Sequence, residues 1–118
     1  MGSIVVFEKD KDFDEVAWGR TMNIFGPENG NAEYLKINIT EYAPGTAHEL
    51  HQHPSQEEVI FILDGEGITR TDAGDQKIST GAFVFVPAGT DHATLNVLEE
   101  KPMRAVIIKS PPLEAPGK

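Results

Sequence analysis

The chain has 118 residues, with 19 Asp plus Glu against 10 Lys plus Arg, a formal net charge of -9 and no cysteine. That length suits one domain around one buried core. The acidic balance, without a basic run to follow a phosphate backbone, argues against nucleic acid as a partner. The missing cysteines remove disulfides, iron–sulfur clusters, thiolate zinc sites and a Cys nucleophile, so any metal must be held by nitrogen and oxygen.

Residues 1–7 lack the long apolar core of a signal peptide, and no apolar stretch approaches the roughly twenty residues that cross a bilayer. A cytoplasmic protein with no membrane partner is the expectation. Residues 4–7 read as an isolated apolar edge strand, which needs cover from another chain and so predicts a homodimer. Residues 9–15 are charged connecting chain with at most one helical turn. Trp18 and Phe25 precede the first clear strand and are assigned to core or dimer burial, an aromatic lid over a pocket being the alternative.

From residue 34 to 42 the pattern alternates, with Leu35, Ile37 and Ile39 on one face and Lys36, Asn38, Thr40 and Tyr42 on the other. The polar stripe either lines a barrel mouth or faces solvent. In the first case Asn38 and Thr40 are candidate substrate contacts. Residues 58–63 form a second strand, apolar on both faces after Glu58 and closed by the hairpin pair Asp64-Gly65. Ile60 and Ile62 share the parity of Glu58 and are candidates for the wall of a site, with core packing as the plainer account. Further strands are expected at 68–71, 76–79, 83–86, 92–97 and 103–109, separated by Gly- and Pro-containing turns; the pattern is that of an all-β sandwich or barrel. The tail 110–118, with three prolines, is expected to be extended or disordered.

The chemistry concentrates in four residues. His51 and His53, at i and i+2 of an extended segment, project to the same side, which is a chelating spacing. Pro54 breaks the ladder, and Glu58 opens the next strand where the chain can return a carboxylate to the two rings. Adjacent Glu57 must then face away. His92 follows the tight turn Pro87-Ala88-Gly89, which aims it at the same interior. Three imidazoles and one carboxylate suit a divalent Mn, Fe, Ni, Co or Zn ion. His48, three residues before His51, has the opposite parity and belongs outside; a supporting or proton-shuttling role behind the ligands is the alternative. Gln52 should also face outward.

These residues resemble the cupin superfamily. Gly45, His51-x-His53, Glu58 and Gly65 match its first motif, and Gly81, Pro87-x-Gly89, His92 and Asn96 match its second, in order and at the right spacing. The resemblance implies an all-β double-stranded β-helix, or jelly-roll barrel, forming a single domain over 1–118 with its metal-binding core at 45–96. It also implies that His51, His53, Glu58 and His92 bind the ion, while Asn96 serves as a structural hydrogen-bonding residue. The expected function is a metal-dependent enzyme for a small oxygen-rich molecule: a dioxygenase, decarboxylase, isomerase or lyase. The alternatives are a module that binds a carboxylate or sugar without turning it over, and an ion that only staples the barrel.

Overall fold

A computed structural model describes residues 4–113. The strands, in chain order, are β1 (Asp14–Val16), β2 (Gly19–Phe25), β3 (Lys36–Tyr42), β4 (Ala47–His51), β5 (Glu57–Asp64), β6 (Glu66–Thr71), β7 (Gly74–Ser79), β8 (Phe83–Val86), β9 (His92–Asn96) and β10 (Met103–Ser110). They form a six-stranded sheet ordered β1-β2-β3-β10-β5-β8 and a four-stranded sheet ordered β4-β9-β6-β7. Every pairing is antiparallel. This is the expected all-β jelly roll, and no helix among the described residues is long and apolar enough to cross a membrane.

The main core lies between the sheets. Ile60, Ile62 and Met103 are fully buried there with Tyr42 and Ala105, and each large apolar side chain contributes about 2 kcal/mol by leaving water. Two glycines let the sheets close. Gly65, at φ 123°, takes the chain from β5 into β6 in a conformation that side-chain-bearing residues rarely adopt. Gly67 leaves no room for a Cβ, which would collide with the Leu95 carbonyl and the Met103 side chain.

The amino-terminal expectations need correction. Residues 4–7 form no strand. Val6 instead packs onto a second cluster of Met22, Ile24 and Ile39, and the Glu8 carboxylate, in a short 3-10 turn over Glu8–Asp10, accepts a hydrogen bond from Arg104. The packing of Val6 and the Glu8–Arg104 ion pair tie this segment down where a ladder was expected, while Ile4, Val5 and Phe7 stay exposed. Trp18 and Phe25 do not precede the first strand but flank and end β2, which pairs with β3. Its alternation is masked by a register shift between Asn23 and Phe25, which sets Ile24 and Phe25 side by side in the apolar pattern. Of the tail, residues 114–118 lie outside the described residues, and Ser110 still belongs to β10.

The two faces of β3 are both used. Ile37 and Ile39 pack outward against β2 residues, while Thr40 and Tyr42 are buried toward the interior. The outer face of the large sheet continues as an apolar strip through Val106, Phe61 and Phe83, whose rings stack at 4.3 Å although Phe83 is 73% exposed.

Asn96 ties the end of β9 to two other segments. Its amide donates to the Tyr42 and Lys101 carbonyls, each at 2.9 Å, and its carbonyl accepts from the Leu98 N–H at 2.9 Å. With the residue buried, truncation orphans several backbone groups at once. Asn96→Ala is expected to lower the unfolding free energy by about 3 kcal/mol in urea titrations while leaving metal affinity unchanged.

Candidate metal centre

His51 ends β4 and lies opposite His92, the first residue of β9. Their rings therefore approach to 4.1 Å between centroids. His53 sits beyond the strand, in a loop that two hydrogen bonds stitch to the segment before β9. The Gly89 N–H donates to the His53 carbonyl at 3.0 Å, and the Gln52 amide donates to Asp91 Oδ1 at 2.8 Å. Gln52 is exposed, as its parity demands. Glu58, second residue of β5, points inward and is 4% exposed, whereas Glu57 faces solvent. One ligand-capable atom from each of His51, His53, Glu58 and His92 lies within 4.8 Å of the other three. Ligands each about 2.1 Å from one ion are at most about 4.2 Å apart, so the four atoms already lie close to the span that one ion sets.

Two features fit this donor set to a metal ion. Glu58 Oε1 and His92 Nε2 are buried without a hydrogen-bond partner, although a buried polar atom is costly unless satisfied. Glu58 Oε1 lies 3.3 Å from His53 Nε2 and 3.7 Å from His92 Nε2. Behind the cluster, Nδ1 of His51 lies 2.6 Å from the Glu49 carbonyl and Nδ1 of His92 lies 3.2 Å from the Thr90 carbonyl. An Nδ1–H donated to those oxygens leaves each Nε2 with its lone pair toward the cluster, as metal-binding histidines require.

Burial pushes His51 down, and burial with the Lys109 charge pushes His53 down. His92 is raised: burial opposes this, but Glu58 and the Thr90 carbonyl outweigh it. Glu58 is lowered, burial being overcome by His92, Lys109 and His53.

His48 is where parity misled. The structure turns it inward, stacked on His51 at 3.9 Å and on Trp18 at 4.2 Å. Between His48 and His51 the β4 ladder advances three residues while β9 advances two, from Thr94 to His92. That bulge cancels the odd spacing and puts both rings on one face. Burial and the neighbouring His51 push His48 down to about 3.

Beside the cluster lies a cavity of about 150 Å³, bounded by Trp18, Tyr42, His48, His51, Glu58 and the inner wall of β3 and β10. Asn38 and Thr40 line it; Ile60 and Ile62 are packed in the core and do not. Lys36 leaves the stripe to pair with Glu28. Trp18 stacks on Tyr42 at 5.1 Å and forms an aromatic side of the cavity. Lys109, which lines the cavity opposite Glu58 in the β10–β5 register, was missed in the sequence. The available signal was its shared parity with Ala105 and Ile107.

Residues 38–109, more than half the chain, match the family model described as a cupin domain. The chain belongs to the cupin family. This cupin is similar to an oxalate-binding protein of Thermotoga maritima, with 34% identity over 53 residues that make up 45% of this chain and 44% of the relative. It spans about half the length of the first curated relatives it matches. Its fold is similar to that of KdgF from Halomonas sp. (TM-score 0.80, 17% identity, 96% of each chain). A predicted oxalate decarboxylase of Thermotoga maritima is also similar (TM-score 0.81, 18% identity, 91% of this chain and 98% of that one).

Because His92 holds its proton to higher pH than an ordinary imidazole, an incoming ion must displace that proton. Affinity is therefore gained as pH rises through the His92 titration and lost below it. Apparent affinity for Zn(II) is expected to fall about tenfold per unit between about pH 7 and 5, with about one proton released per ion. Calorimetry in buffers of differing ionisation enthalpy reads both quantities, and a pH-independent affinity would remove His92 from the ligand set.

Proposed function

We propose that this cupin is a metal-dependent enzyme for a small carboxylate, with His51, His53, Glu58 and His92 holding one divalent Mn, Fe, Ni, Co or Zn ion. The observation that carries the reading is the meeting of buried, unsatisfied Glu58 Oε1 and His92 Nε2 at the edge of a cavity that Lys109 also lines. Three neutral imidazoles and one carboxylate leave a divalent ion with net charge +1, able to polarise a carboxylate or lower the pKa of bound water. Imidazole and carboxylate donors suit all five metals.

The protein's own groups prepare the rest. The Lys109 ammonium adds positive charge to the cavity and favours an anion there. Trp18, Tyr42 and Ile107 give it apolar sides that limit water. At about 150 Å³ the cavity is well below the roughly 300–1,000 Å³ of pockets for drug-sized ligands, which favours a molecule of few carbons. The name of the oxalate-binding relative supports the same chemical class.

A second reading, a carboxylate-binding module without turnover, draws on a different observation. Glu58 is the only carboxylate among the described residues lining the cavity. If it serves as a ligand, no second carboxylate remains there for acid–base work.

The two readings separate when the full chain, loaded in turn with Mn(II), Fe(II) and Zn(II), is incubated with oxalate, malonate and pyruvate. Binding is followed by calorimetry and turnover by NMR of the acid. Metal-dependent binding with consumption of an acid is expected. Binding of an acid that stays unchanged supports the module, and failure to take up any metal ends both. Glu58→Gln is expected to weaken metal binding by on the order of a hundredfold and to remove acid binding with it.

A further inference from the structure

The wall formed by β3 and β10 carries polar side-chain groups with no direct hydrogen-bond partner among the described residues. Asn38 Oδ1 is buried with no hydrogen-bond partner. The Lys109 ammonium makes no direct side-chain ion pair or hydrogen bond among the described residues, and the charge it acts on is Glu58, its partner across the β10–β5 register. Asn38 and Lys109 both line the cavity beside the ligand cluster. In the β3–β10 register Asn38 lies opposite Ile107, so Lys109, two residues further on, is its diagonal neighbour on the same face. Such neighbours stand roughly 7–8 Å apart at the backbone, close enough for both side chains to reach one small molecule.

The neighbouring hydroxyls have a different status. Thr21 and Thr40 share one hydrogen bond between their hydroxyls, Oγ1 to Oγ1 at 3.0 Å, so each has a partner within the wall. The wall therefore lacks a hydrogen-bond donor at Asn38 and presents an ammonium at Lys109 whose neighbouring carboxylate, Glu58, is the one assigned to the ion. A fully ionised simple dicarboxylate answers the second and leaves the first open, because carboxylates only accept. A hydroxy acid answers both.

We propose that this wall is a subsite for a small hydroxy-carboxylate, with the Lys109 ammonium holding a carboxylate and Asn38 Oδ1 accepting the ligand's hydroxyl proton. The assignment deepens the proposed function and rests on its reading that a carboxylate enters this cavity. It narrows the substrate class from small carboxylates to those with a hydroxyl near the acid group.

Malonate and tartronate share a carbon skeleton and differ only in the hydroxyl. Calorimetry of each with the Zn(II)-loaded full chain is expected to give tartronate an advantage of about tenfold. An α-hydroxy acid also chelates metals better in its own right, so the deciding arm is Asn38→Leu. That variant is expected to abolish the advantage while leaving Zn(II) affinity and malonate affinity within about twofold of the parent. Lys109→Met is expected to weaken both acids by on the order of tenfold, while Zn(II) affinity, relieved of a neighbouring positive charge, stays at or above that of the parent. No tartronate advantage in the parent, or an advantage that survives Asn38→Leu, overturns the subsite while carboxylate binding stands. If neither acid binds the Zn(II)-loaded chain, the carboxylate reading falls and takes the subsite with it.

Discussion

A carboxylate buried among three imidazoles is the constraint around which this structure is arranged. Glu58 sits 4% exposed with one oxygen that no protein donor satisfies, facing His92 and His53 at 3.7 and 3.3 Å. An isolated buried carboxylate would cost several kcal/mol, and only opposite charge nearby makes it tolerable. Glu58 in turn raises the proton affinity of His92, so a proton there would offset part of that cost. A divalent ion would offset it more fully, which is why the same geometry that is awkward as a polar cluster is suited to chelation.

The fold reaches this arrangement by joining segments from both sheets. Glu58 and Lys109 come from the large sheet, His51 and His92 from the small one, and His53 from a loop between them. The loop is held by the Gly89 N–H, so the turn that aims His92 also anchors His53. The backbone of one histidine-bearing motif thus fixes the other, and displacement of either would move two ligand candidates together. Trp18, Tyr42 and His48 extend the site as a stack of rings running from His51 along the cavity. This side is walled by stacked rings, whereas the β3–β10 side carries the polar Asn38 and Lys109.

The part of the site that was legible in the sequence is the part encoded by short spacing. His51 with His53, and His92 after its Pro-Gly turn, follow from local parity and turn chemistry; parity admits only one of Glu57 and Glu58, the motif spacing to Gly65 selects Glu58, and the structure brings all four together. Most central strands were legible for the same reason: β5 and β10 carry runs of β-branched and aromatic residues closed by turn formers. Strand β2 was not, because the register shift near Ile24 disrupts its alternation. The amino-terminal segment was misread because apolar composition says nothing about whether a chain makes a ladder or lays its side chains on one.

What the sequence by itself determined is the donor chemistry and the strand pattern, since ligand type, turn residues and period-two alternation are local properties of the chain. What only the tertiary structure decided is which faces meet. His48 turns inward because a bulge opposite β9 adds one residue to its count, and Lys109 reaches the cavity because β10 pairs with β5 in the register that sets it across from Glu58. Register and bulges belong to pairs of strands, so no reading of one strand alone can supply them.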